Sequence, residues 1–384
     1  MKRIASIFLT SHPDSVGNAY RINRLRSISQ IYNLTIITNV PKFISTLVPK
    51  AKVLSVSGVE CLSPFNLRGL FSIGKALNAC EFDLLYAFHN DAMALLFFNG
   101  KSLCEIHQSH EIIGIGNEFN KSFRGFVGKL KLKIKSYLLL IGIKRSLFTF
   151  AVSKQLVEFF INKGVDSKKI EYLPHGVNLE IFDPDKNLVS ARLNKVSSEK
   201  FAIVYTGWVS EKRGQKIMLD GLMALLRLTK NVHLIIVGCE KNQLVELKKY
   251  VDDHGMASNT TLFGRLDYLE MPEIIKRANV CLSFLEPNAS YSMSPPQKIF
   301  EYFAMGKPVI ANNLPTHTDY IKTDLNGIIL DSLEVKNFTE AVLAMMKSDR
   351  YVEMSQCALE SSRSYDIKII ERRLFAKIEE LLNA

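Results

Sequence analysis

Short apolar runs, each about the length of one buried strand, alternate along the chain with segments in which apolar residues recur at helical spacing. In the first half of the chain the strand-like runs are 4–9, 34–38, 82–87, 103–107 and 148–153, and the helix-like segments are 19–32 and 154–163. The stretch from 40 to 70 has no clear period. Strands alternating with helices in this way predict a doubly wound parallel sheet.

The same alternation restarts after residue 200. Strand-like runs lie at 201–207, 232–238, 260–264 and 280–284, with a helix-like segment at 214–229. The stretch 183–199, rich in Asp, Lys, Asn and Ser, is a linker candidate. We therefore expect two α/β domains, 1–180 and 181–365, followed by an amphipathic helix at 366–384. Because ligands of open α/β sheets bind outside the carboxyl ends of the strands, we also expect a cleft where the two domains face each other.

The stretch from Ser294 to Ala311 predicts a short helix with well-marked ends. Two prolines precede it, Gly306 and Pro308 end it, and a short apolar strand follows. Its one carboxylate, Glu301, has apolar neighbours on both sides. Burying a carboxylate costs several kcal/mol unless it is hydrogen-bonded. Glu301 is therefore either a binding group, with a pair of sugar hydroxyls as a suitable ligand, or part of a solvated helix face.

The formal net charge is +11, which implies attraction to an anionic partner such as nucleic acid, lipid headgroups or a phosphorylated small molecule. The excess is concentrated between Lys121 and Arg145, where aromatic and aliphatic residues accompany Lys129, Lys131, Lys133 and Lys135. A basic segment of this kind suits the surface of an anionic leaflet. The alternatives are an ordinary solvated helix with one buried face, and nucleic acid, for which no recognised motif is present. We expect docking on the inner face of the plasma membrane.

The cysteines and the apolar runs limit where the protein works. The six cysteines have no paired spacing, so we expect neither a disulfide framework nor a zinc site, and a reducing cytoplasm fits best. The apolar run at 4–9 is too short for the core of a signal peptide. No segment reaches the roughly 18 apolar residues of a spanning helix. We expect a cytoplasmic protein bound peripherally to the membrane.

Several motifs resemble one family. They are Val152-Ser153-Lys154, the run from Ile170 to Asn178 followed by Phe182, Tyr205-Thr206-Gly207 with Glu211-Lys212-Arg213-Gly214, the run from Leu234 to Gly238, Phe263-Gly264, and the stretch around Glu301. In this order they resemble the GT-B glycosyltransferases of family 4, over residues from about 150 to 330. The N-terminal half resembles the family only loosely. The resemblance implies the GT-B fold, with two facing Rossmann-like domains and a last helix that crosses back onto the first.

The resemblance also implies a donor site for a nucleotide diphosphate sugar. Glu301 would accept hydrogen bonds from the ribose hydroxyls, which suits an ionised carboxylate. Lys212 or Arg213 would contact the diphosphate, beside a glycine that opens a helix. Cations at this place stabilise the leaving group in a transferase that needs no metal. The remaining donor-site candidates are Gly17, in a loop after the first strand, Lys298, Ser294 and Gly207.

Two histidines are candidates for contact with the donor sugar near the reacting carbon. Either His107 or His110, which follow a buried strand, could fill the place where the family often has a histidine, and the His110-Glu111 pair favours His110. Two positions depart from the family pattern. Met293 stands where many relatives have a first glutamate, and Trp208 stands where an arginine is common. We therefore expect either weaker activity than is typical of the family or a differently shaped pocket, with more of the phosphate contact left to Lys212 and Arg213.

The predicted function is the transfer of a sugar, with retention, from a nucleotide diphosphate sugar to a glycan or lipid-linked acceptor. The expected setting is the synthesis of a bacterial surface polysaccharide: capsule, O-antigen or exopolysaccharide. No cofactor or metal is expected, and nucleic acid is not an expected partner. Two other functions remain open: a non-catalytic partner subunit that binds the nucleotide sugar, and a nucleotide-sugar epimerase of the same fold.

Overall fold

The computed structural model divides the chain into two compact units. The first is Met1–Pro174 together with Glu371–Ala384, and the second is His175–Ile370. The structure describes residues 1–11, 16–63, 65–97, 100–106, 125–186, 193, 196 and 199–384. The divisions lie a few residues from the expected boundaries at 180 and 365. Most of the expected linker, 183–199, lies outside the described residues.

The first unit is a parallel sheet of seven strands in the order β3-β2-β1-β4-β5-β6-β7. The strands are β1 (Arg3–Phe8), β2 (Asn33–Thr38), β3 (Lys52–Ser55), β4 (Leu84–Phe88), β5 (Ser102–Ile106), β6 (Phe148–Ala151) and β7 (Ile170–Tyr172). Its described helices are α1 (Val16–Ile31), α2 (Pro41–Leu47), α3 (Leu67–Asn78), α4 (Gly125–Arg145) and α5 (Lys154–Asn162), with a 3-10 helix at His89–Phe97. The strand order reverses direction at β1, as in a doubly wound fold.

The second unit is a parallel sheet of six strands in the order β10-β9-β8-β11-β12-β13. Its strands are β8 (Phe201–Thr206), β9 (Val232–Val237), β10 (Thr260–Phe263), β11 (Val280–Ser283), β12 (Val309–Asn312) and β13 (Gly327–Leu330). The α-helices are α6 (Gln215–Leu228), α7 (Lys241–Asp253), α8 (Met271–Lys276), α9 (Lys298–Ala304), α10 (Pro315–Thr318), α11 (Val335–Lys347) and α12 (Tyr351–Arg363); α13 (Ile367–Asn383) begins in this unit and continues in the first. Two doubly wound parallel sheets confirm the predicted fold class.

The strands that the sequence pattern did not predict are short and lie at sheet edges. β3 and β7 end the first sheet, and β13 ends the second. No residue of β3 is fully buried, and only Ile170 of β7 is. An edge strand with so little buried surface produces no apolar run, so the stretch 40–70 gave no period although it holds α2, β3 and the start of α3.

Two glycines allow β8 and β9 to end close together. Gly207 and Gly238 follow the two strands with φ angles of 110° and 111°, a region that side chains other than glycine rarely adopt. A Cβ atom on Gly238 would lie 2.2 Å from the carbonyl oxygen of Gly207, whereas one on Gly207 would meet open space. Gly238 is thus required by packing, and Gly207 leaves its side of the backbone uncovered.

The last helix, α13, lies across the division between the units, and most of it packs on the first. Leu374 and Ile378 are fully buried there. Glu379 accepts hydrogen bonds from Lys2, at 2.7 Å, and from the Tyr32 hydroxyl, at 2.8 Å. Among the described residues, no helix has the length and apolar character needed to cross a membrane.

Candidate functional site

Most of the predicted donor-site residues of the second unit lie just beyond the carboxyl ends of its strands. Gly207 follows β8, Lys212 and Arg213 follow it in a 3-10 turn, and α9 begins after the loop that leaves β11. Because all six strands are parallel, their carboxyl ends share one edge of the sheet, where doubly wound folds bind ligands.

Helix α9 is short and wholly buried. Its seven residues are all buried, so Glu301 is not part of a solvated helix face. The helix ends as predicted: Gly306 has φ 64°, its N–H donates to Phe303 O at 2.9 Å, and the N–H of Lys307 donates to Tyr302 O at 2.9 Å. These two bonds form a Schellman motif. Such a rigid ending fixes the direction in which the charged side chains of the helix point.

Glu301 is a buried carboxylate with one phenolic partner. Burial raises its pKa to about 7, while a hydrogen bond from the Tyr268 hydroxyl and the charge of Lys298 act in the opposite direction. The Tyr268 ring in turn packs edge-on against Phe182, with ring centroids 5.3 Å apart. Glu301 is thus held by aromatic neighbours in a position to accept further hydrogen bonds.

Lys298, one turn before Glu301, is a buried cation without a hydrogen-bonding acceptor among the described residues. Its ammonium nitrogen lies 3.6 Å from the centroid of the Tyr205 ring, a cation–π contact. Burial lowers the pKa of Lys298 well below its usual value, and the charge of Arg213 lowers it further, whereas Glu301 raises it. A cation in this state favours an anion as ligand.

Arg213 is held by three aromatic residues. Its guanidinium lies 5.8 Å from the Trp208 ring centroid and 5.4 Å from that of Tyr291. It also hydrogen-bonds the Tyr205 hydroxyl, which donates to Trp208 O at 2.8 Å, and burial raises the pKa of Tyr205 to about 12. The buried Nε of Arg213 has no acceptor in the described part of the chain. Arg213 and Lys298 thus approach Tyr205 from different sides, and each retains a polar atom that a ligand could use.

Lys212 differs from its neighbour. Its ammonium group is half exposed and lies 3.3 Å from the Glu286 carboxylate. Gly214, which follows the pair with φ 78°, has no room for a side chain, because a Cβ atom would lie 2.6 Å from Phe284. Of the two predicted diphosphate ligands, only Arg213 is turned toward Lys298, and the charge of Lys212 is matched by a carboxylate.

The structure places the other predicted donor residues as follows. Ser294 lies in the loop before α9, and its buried Oγ has no partner among the described residues. Gly17 does not lie in a loop: it lies in the first turn of α1, because the helix begins at Val16, three residues earlier than expected. His107 and His110, the predicted catalytic residues, lie outside the described residues.

The predicted membrane-facing lysines separate into two kinds. Lys129, Lys131 and Lys133 are exposed on α4. Lys135 is buried, and the expectation that it lies on a surface is wrong. It lies among the buried residues of the helix. Burial raises the pKa of Asp91 to about 6, and the positive charge of Lys135 acts in the opposite direction.

The loop from β11 to α9 is held by polar contacts that the sequence did not indicate. The side chain of Asn312 accepts from Leu285 N at 3.0 Å and donates to Leu285 O at 2.9 Å. Thr316 donates to Tyr291 O at 2.5 Å. Buried His317 bonds Ser283 Oγ and Asn312 O, and burial lowers its pKa to about 4, so the ring is neutral at pH 7. These contacts fix Tyr291, and with it Arg213.

Tyr268 and Tyr291 were missed because single aromatic residues in loops carry no distinctive spacing. Tyr205 belongs to the Tyr205-Thr206-Gly207 motif, but the motif gave the tyrosine no role of its own. A hint was present in each case, since a hydroxyl-bearing ring follows or ends a strand on the ligand-binding edge.

A cavity of about 420 Å³ lies beyond the ends of β9 and β10 and is lined by Cys239, Glu240, Lys241, Leu244, Gly264 and Arg265. Across the described ranges, no group of three His, Cys, Asp or Glu side chains is arranged to hold a metal ion. None of the described cysteines forms a disulfide bond.

Known proteins resemble this chain in sequence over part of its length. Residues 190–360 match the family model described as glycosyl transferases group 1, which confirms the resemblance seen in the sequence. A relative from Mycobacterium tuberculosis, a GDP-mannose-dependent alpha-(1-6)-phosphatidylinositol monomannoside mannosyltransferase, is 27% identical over 231 residues. The match covers 59% of this chain, and the chain spans 59% of the relative's length.

Solved structures match over the whole length. Sucrose-phosphate synthase from Thermosynechococcus elongatus superposes with a TM-score of 0.74 at 15% identity, covering 100% of both chains. Anabaena Alr3699/HepE in complex with UDP-glucose has a TM-score of 0.75 at 14% identity, covering 99% of this chain and 100% of the other. At these identities the likeness shows the fold, and the predicted GT-B fold is confirmed.

Proposed function

We propose that the protein transfers a sugar from a nucleotide diphosphate sugar to an acceptor. Its residues 190–360 match the family model described as glycosyl transferases group 1. The observation that carries the proposal is the pair of cations around Tyr205. Arg213 lies close enough to Lys298 for its charge to lower the pKa of the lysine, and each side chain has a buried nitrogen without an acceptor among the residues that the structure describes. Uncompensated buried charge is costly, and a diphosphate would supply both the negative charge and the acceptor oxygens.

The neighbouring groups fit the rest of a nucleotide. In the proposed complex the Glu301 carboxylate accepts from the two ribose hydroxyls, while the Tyr268 hydroxyl continues to donate to it. Gly207, with open space where a side chain would be, lets the ligand approach the backbone. The cavity beside Glu240 and Arg265, on the same edge of the sheet, offers room for the base.

The chemistry required of these residues is the stabilisation of a leaving group. As the bond from the sugar to the diphosphate breaks, negative charge grows on the diphosphate, and fixed cations in a dry site stabilise it. Lys298 and Arg213 are preorganised for this role by Tyr205, Trp208 and Tyr291. We propose that the transfer needs no metal, that it proceeds with retention, and that His107 or His110 contacts the donor sugar.

The acceptor and the setting are also proposals. The mycobacterial relative is named for a phosphatidylinositol-linked acceptor, and the exposed lysines of α4 suit an anionic leaflet. We propose a glycan or lipid-linked acceptor at the inner face of the plasma membrane, in the synthesis of a bacterial surface polysaccharide.

Calorimetry with UDP, GDP and ADP tests donor binding. We expect one of the three to bind and Glu301→Gln to weaken its binding by roughly tenfold to a hundredfold, the range for a hydrogen bond to a charged group. Glu340→Gln, an exposed change on α11, is the control. If none of the three binds at millimolar concentration, the donor-site assignment is wrong.

Turnover is tested with a panel of nucleotide sugars and lipid-linked sugars, by measuring nucleoside diphosphate release. Release that needs the acceptor, persists with a chelator and disappears in Glu301→Ala is the expected result. Binding without release on any acceptor would favour a non-catalytic partner subunit, and epimerised nucleotide sugar without acceptor would favour an epimerase.

A further inference from the structure

Two helices of the first unit expose large apolar side chains next to cations. Phe126, at the start of α4, is 84% exposed. On α3, Phe71 is 78% exposed and Leu67 is 75% exposed. Neither helix contains an acidic residue. Soluble proteins rarely expose contiguous apolar patches of this kind unless they have a binding partner.

Helix α4 has two apolar faces. One is buried, through Gly128, Leu132, Lys135, Leu139, Gly142 and Ile143. Gly142 allows the close approach, since a Cβ atom there would lie 2.1 Å from Ala92 O. At 100° per residue, the exposed apolar residues fall within an arc of about 100° on the opposite side. They are Phe126, Val127, Leu130, Ile134 and Tyr137.

The exposed lysines of α4 flank this arc on both sides. Lys131 lies beyond one edge, and Lys129 and Lys133 lie beyond the other, by the same helical geometry. Spacing by two residues therefore places lysines on both borders of an apolar strip. The full helix has no single polar face, which is why its sequence showed no simple helical stripe.

Helix α3 extends the strip. The Lys131 ammonium lies 5.6 Å from the ring centroid of Phe65, so a side chain of α4 reaches the segment that leads into α3. On α3 the exposed side chains Leu67, Arg68, Phe71 and Lys75 share one face by helical spacing. We call the combined set the aromatic-basic surface: Phe65, Leu67, Phe71, Phe126, Val127, Leu130, Ile134 and Tyr137, with Arg68, Lys75, Lys129, Lys131 and Lys133.

The net positive charge of the chain lies on the same unit. The first unit holds 26 Lys and Arg against 14 Asp and Glu, whereas the second holds 23 against 24. The net +11 therefore arises from the unit that carries the aromatic-basic surface. Charge and exposed apolar area occur together, as an anionic lipid surface requires of its ligand.

We propose that the aromatic-basic surface inserts into the interface of an anionic bilayer. Its rings and aliphatic side chains enter the boundary between headgroups and acyl chains, and its lysines and arginine remain at the level of the lipid phosphates. A second copy of the chain is a poorer occupant, because a symmetric contact through this surface would set lysines against lysines. The inference rests on the membrane part of the proposed function and is independent of sugar transfer.

Vesicle co-sedimentation of the full chain tests the two components separately. With vesicles containing phosphatidylglycerol at low salt, Lys129, Lys131 and Lys133 all changed to Gln should weaken partition by roughly 100-fold. Phe71→Ser and Phe126→Ser should each weaken it at least about tenfold, and by the same factor at high salt. Matched controls in the second unit are Val352→Ser and the triple change of Lys230, Lys248 and Lys249 to Gln, which should have no effect. Because every altered side chain is exposed, circular dichroism and melting should match the wild type.

A fluorescent reporter measures insertion directly. The chain has one tryptophan, Trp208, in the second unit. In Trp208→Phe with Phe126→Trp, the emission should shift to the blue on anionic vesicles and be quenched by brominated acyl chains. The matched reporter, Trp208→Phe with Val352→Trp, should show neither effect.

Three results would overturn the proposal. One is partition that depends on the lysines but not on Phe71 or Phe126, which would indicate surface attraction without insertion. The second is equal partition to vesicles of phosphatidylcholine alone. The third is a dimer in solution that Phe71→Ser dissociates, without binding to any vesicle. All of these measurements are made without a nucleotide or a sugar. A negative result would therefore contradict membrane insertion and would leave the proposed sugar transfer to be tested by the donor-binding and turnover assays.

Discussion

At the scale of single residues, the second unit keeps a charge arrangement that is unfavourable for its own folding. Lys298 and Glu301 are both buried on one short helix, yet the lysine nitrogen faces an aromatic ring and not an oxygen. Groups held in costly states cluster at ligand sites, where the ligand supplies what the protein lacks. The cost to the empty protein and the benefit to the complex can be measured on the same side chains.

Lys298→Met should separate the two effects. Removing an unsatisfied buried cation while keeping the side-chain volume should raise the free energy of unfolding of the empty protein by about 1–3 kcal/mol. The same change should weaken binding of the nucleoside diphosphate at least tenfold, with less effect on the monophosphate. Urea titration followed by Trp208 fluorescence gives the first quantity, and calorimetry gives the second. Lys336→Met, an exposed control on α11, should change neither; a loss of stability in Lys298→Met would show that the ammonium group is satisfied.

Glu301 should make stability depend on pH. Its pKa is raised from 4.5 to about 7, so between these values the folded state holds a proton that the unfolded state has lost. The free energy of unfolding should therefore fall as pH rises through this window, by on the order of 3 kcal/mol in total. Urea titrations at several pH values, compared with Glu301→Gln, isolate this group. Parallel pH profiles of the two proteins would contradict the prediction.

At the scale of elements, the ligand site depends on short segments whose positions are set by others. α9 is fixed by its Schellman ending, and the loop before it by Asn312, Thr316 and His317. In the first unit, the sheet is completed by a helix from the far end of the chain. The contribution of that helix can be measured through its buried side chains.

Leu374→Ala should destabilise the first unit by about 2–5 kcal/mol, the range for a buried leucine whose cavity does not collapse. Amide hydrogen exchange in β1 and β2 should accelerate, while the Trp208 urea transition of the second unit stays in place. Ile369→Ala, on the same helix but 37% exposed, is the control. If the Trp208 urea transition shifts to lower urea and amide exchange in β1 does not accelerate, the helix stabilises the second unit and the prediction is wrong.

The sequence predicted those elements that bury a continuous apolar run. β8 and β9 are six-residue strands whose residues are nearly all buried, and their bounds agree with the pattern to within one residue. β3 and β13 were missed because an edge strand needs only a few buried residues. In the site, Glu301 and Lys298 stood out as charges in an apolar helix. The contacts of Arg213 with Trp208 and Tyr291 could not be predicted, because they depend on ring geometry that leaves no sequence period, and Tyr291 is also far from Arg213 in the chain.

At the scale of the whole molecule, the two units differ in chemistry as well as in sequence. The first carries the whole net positive charge and the aromatic-basic surface, and the second carries the donor-site candidates of α9 and its neighbouring loops with no net excess of cations. Each has its own parallel sheet and its own core. We therefore expect the units to respond differently to a ligand of the second.

A nucleoside diphosphate at about 100 times its dissociation constant should stabilise the second unit by about 2.7 kcal/mol. Amides of β8, β9 and β11 that exchange through global opening should then slow by about 100-fold, whereas those of β1 and β2 should change much less. Hydrogen exchange followed by mass spectrometry resolves the two sets. Equal protection in both would show that the units open together.

The position of α13 has a consequence for the order in which the protein is made. Domains of a growing chain usually fold from the N-terminus onward as each is released. Here the first unit receives Leu374 and Ile378, and the Glu379 carboxylate that binds Lys2 and Tyr32, only when residues that follow the whole second unit have left the ribosome. The second unit, His175–Ile370, has all of its own residues before that moment. The core of the first unit therefore closes only after the second unit, which follows it in the sequence, has been translated.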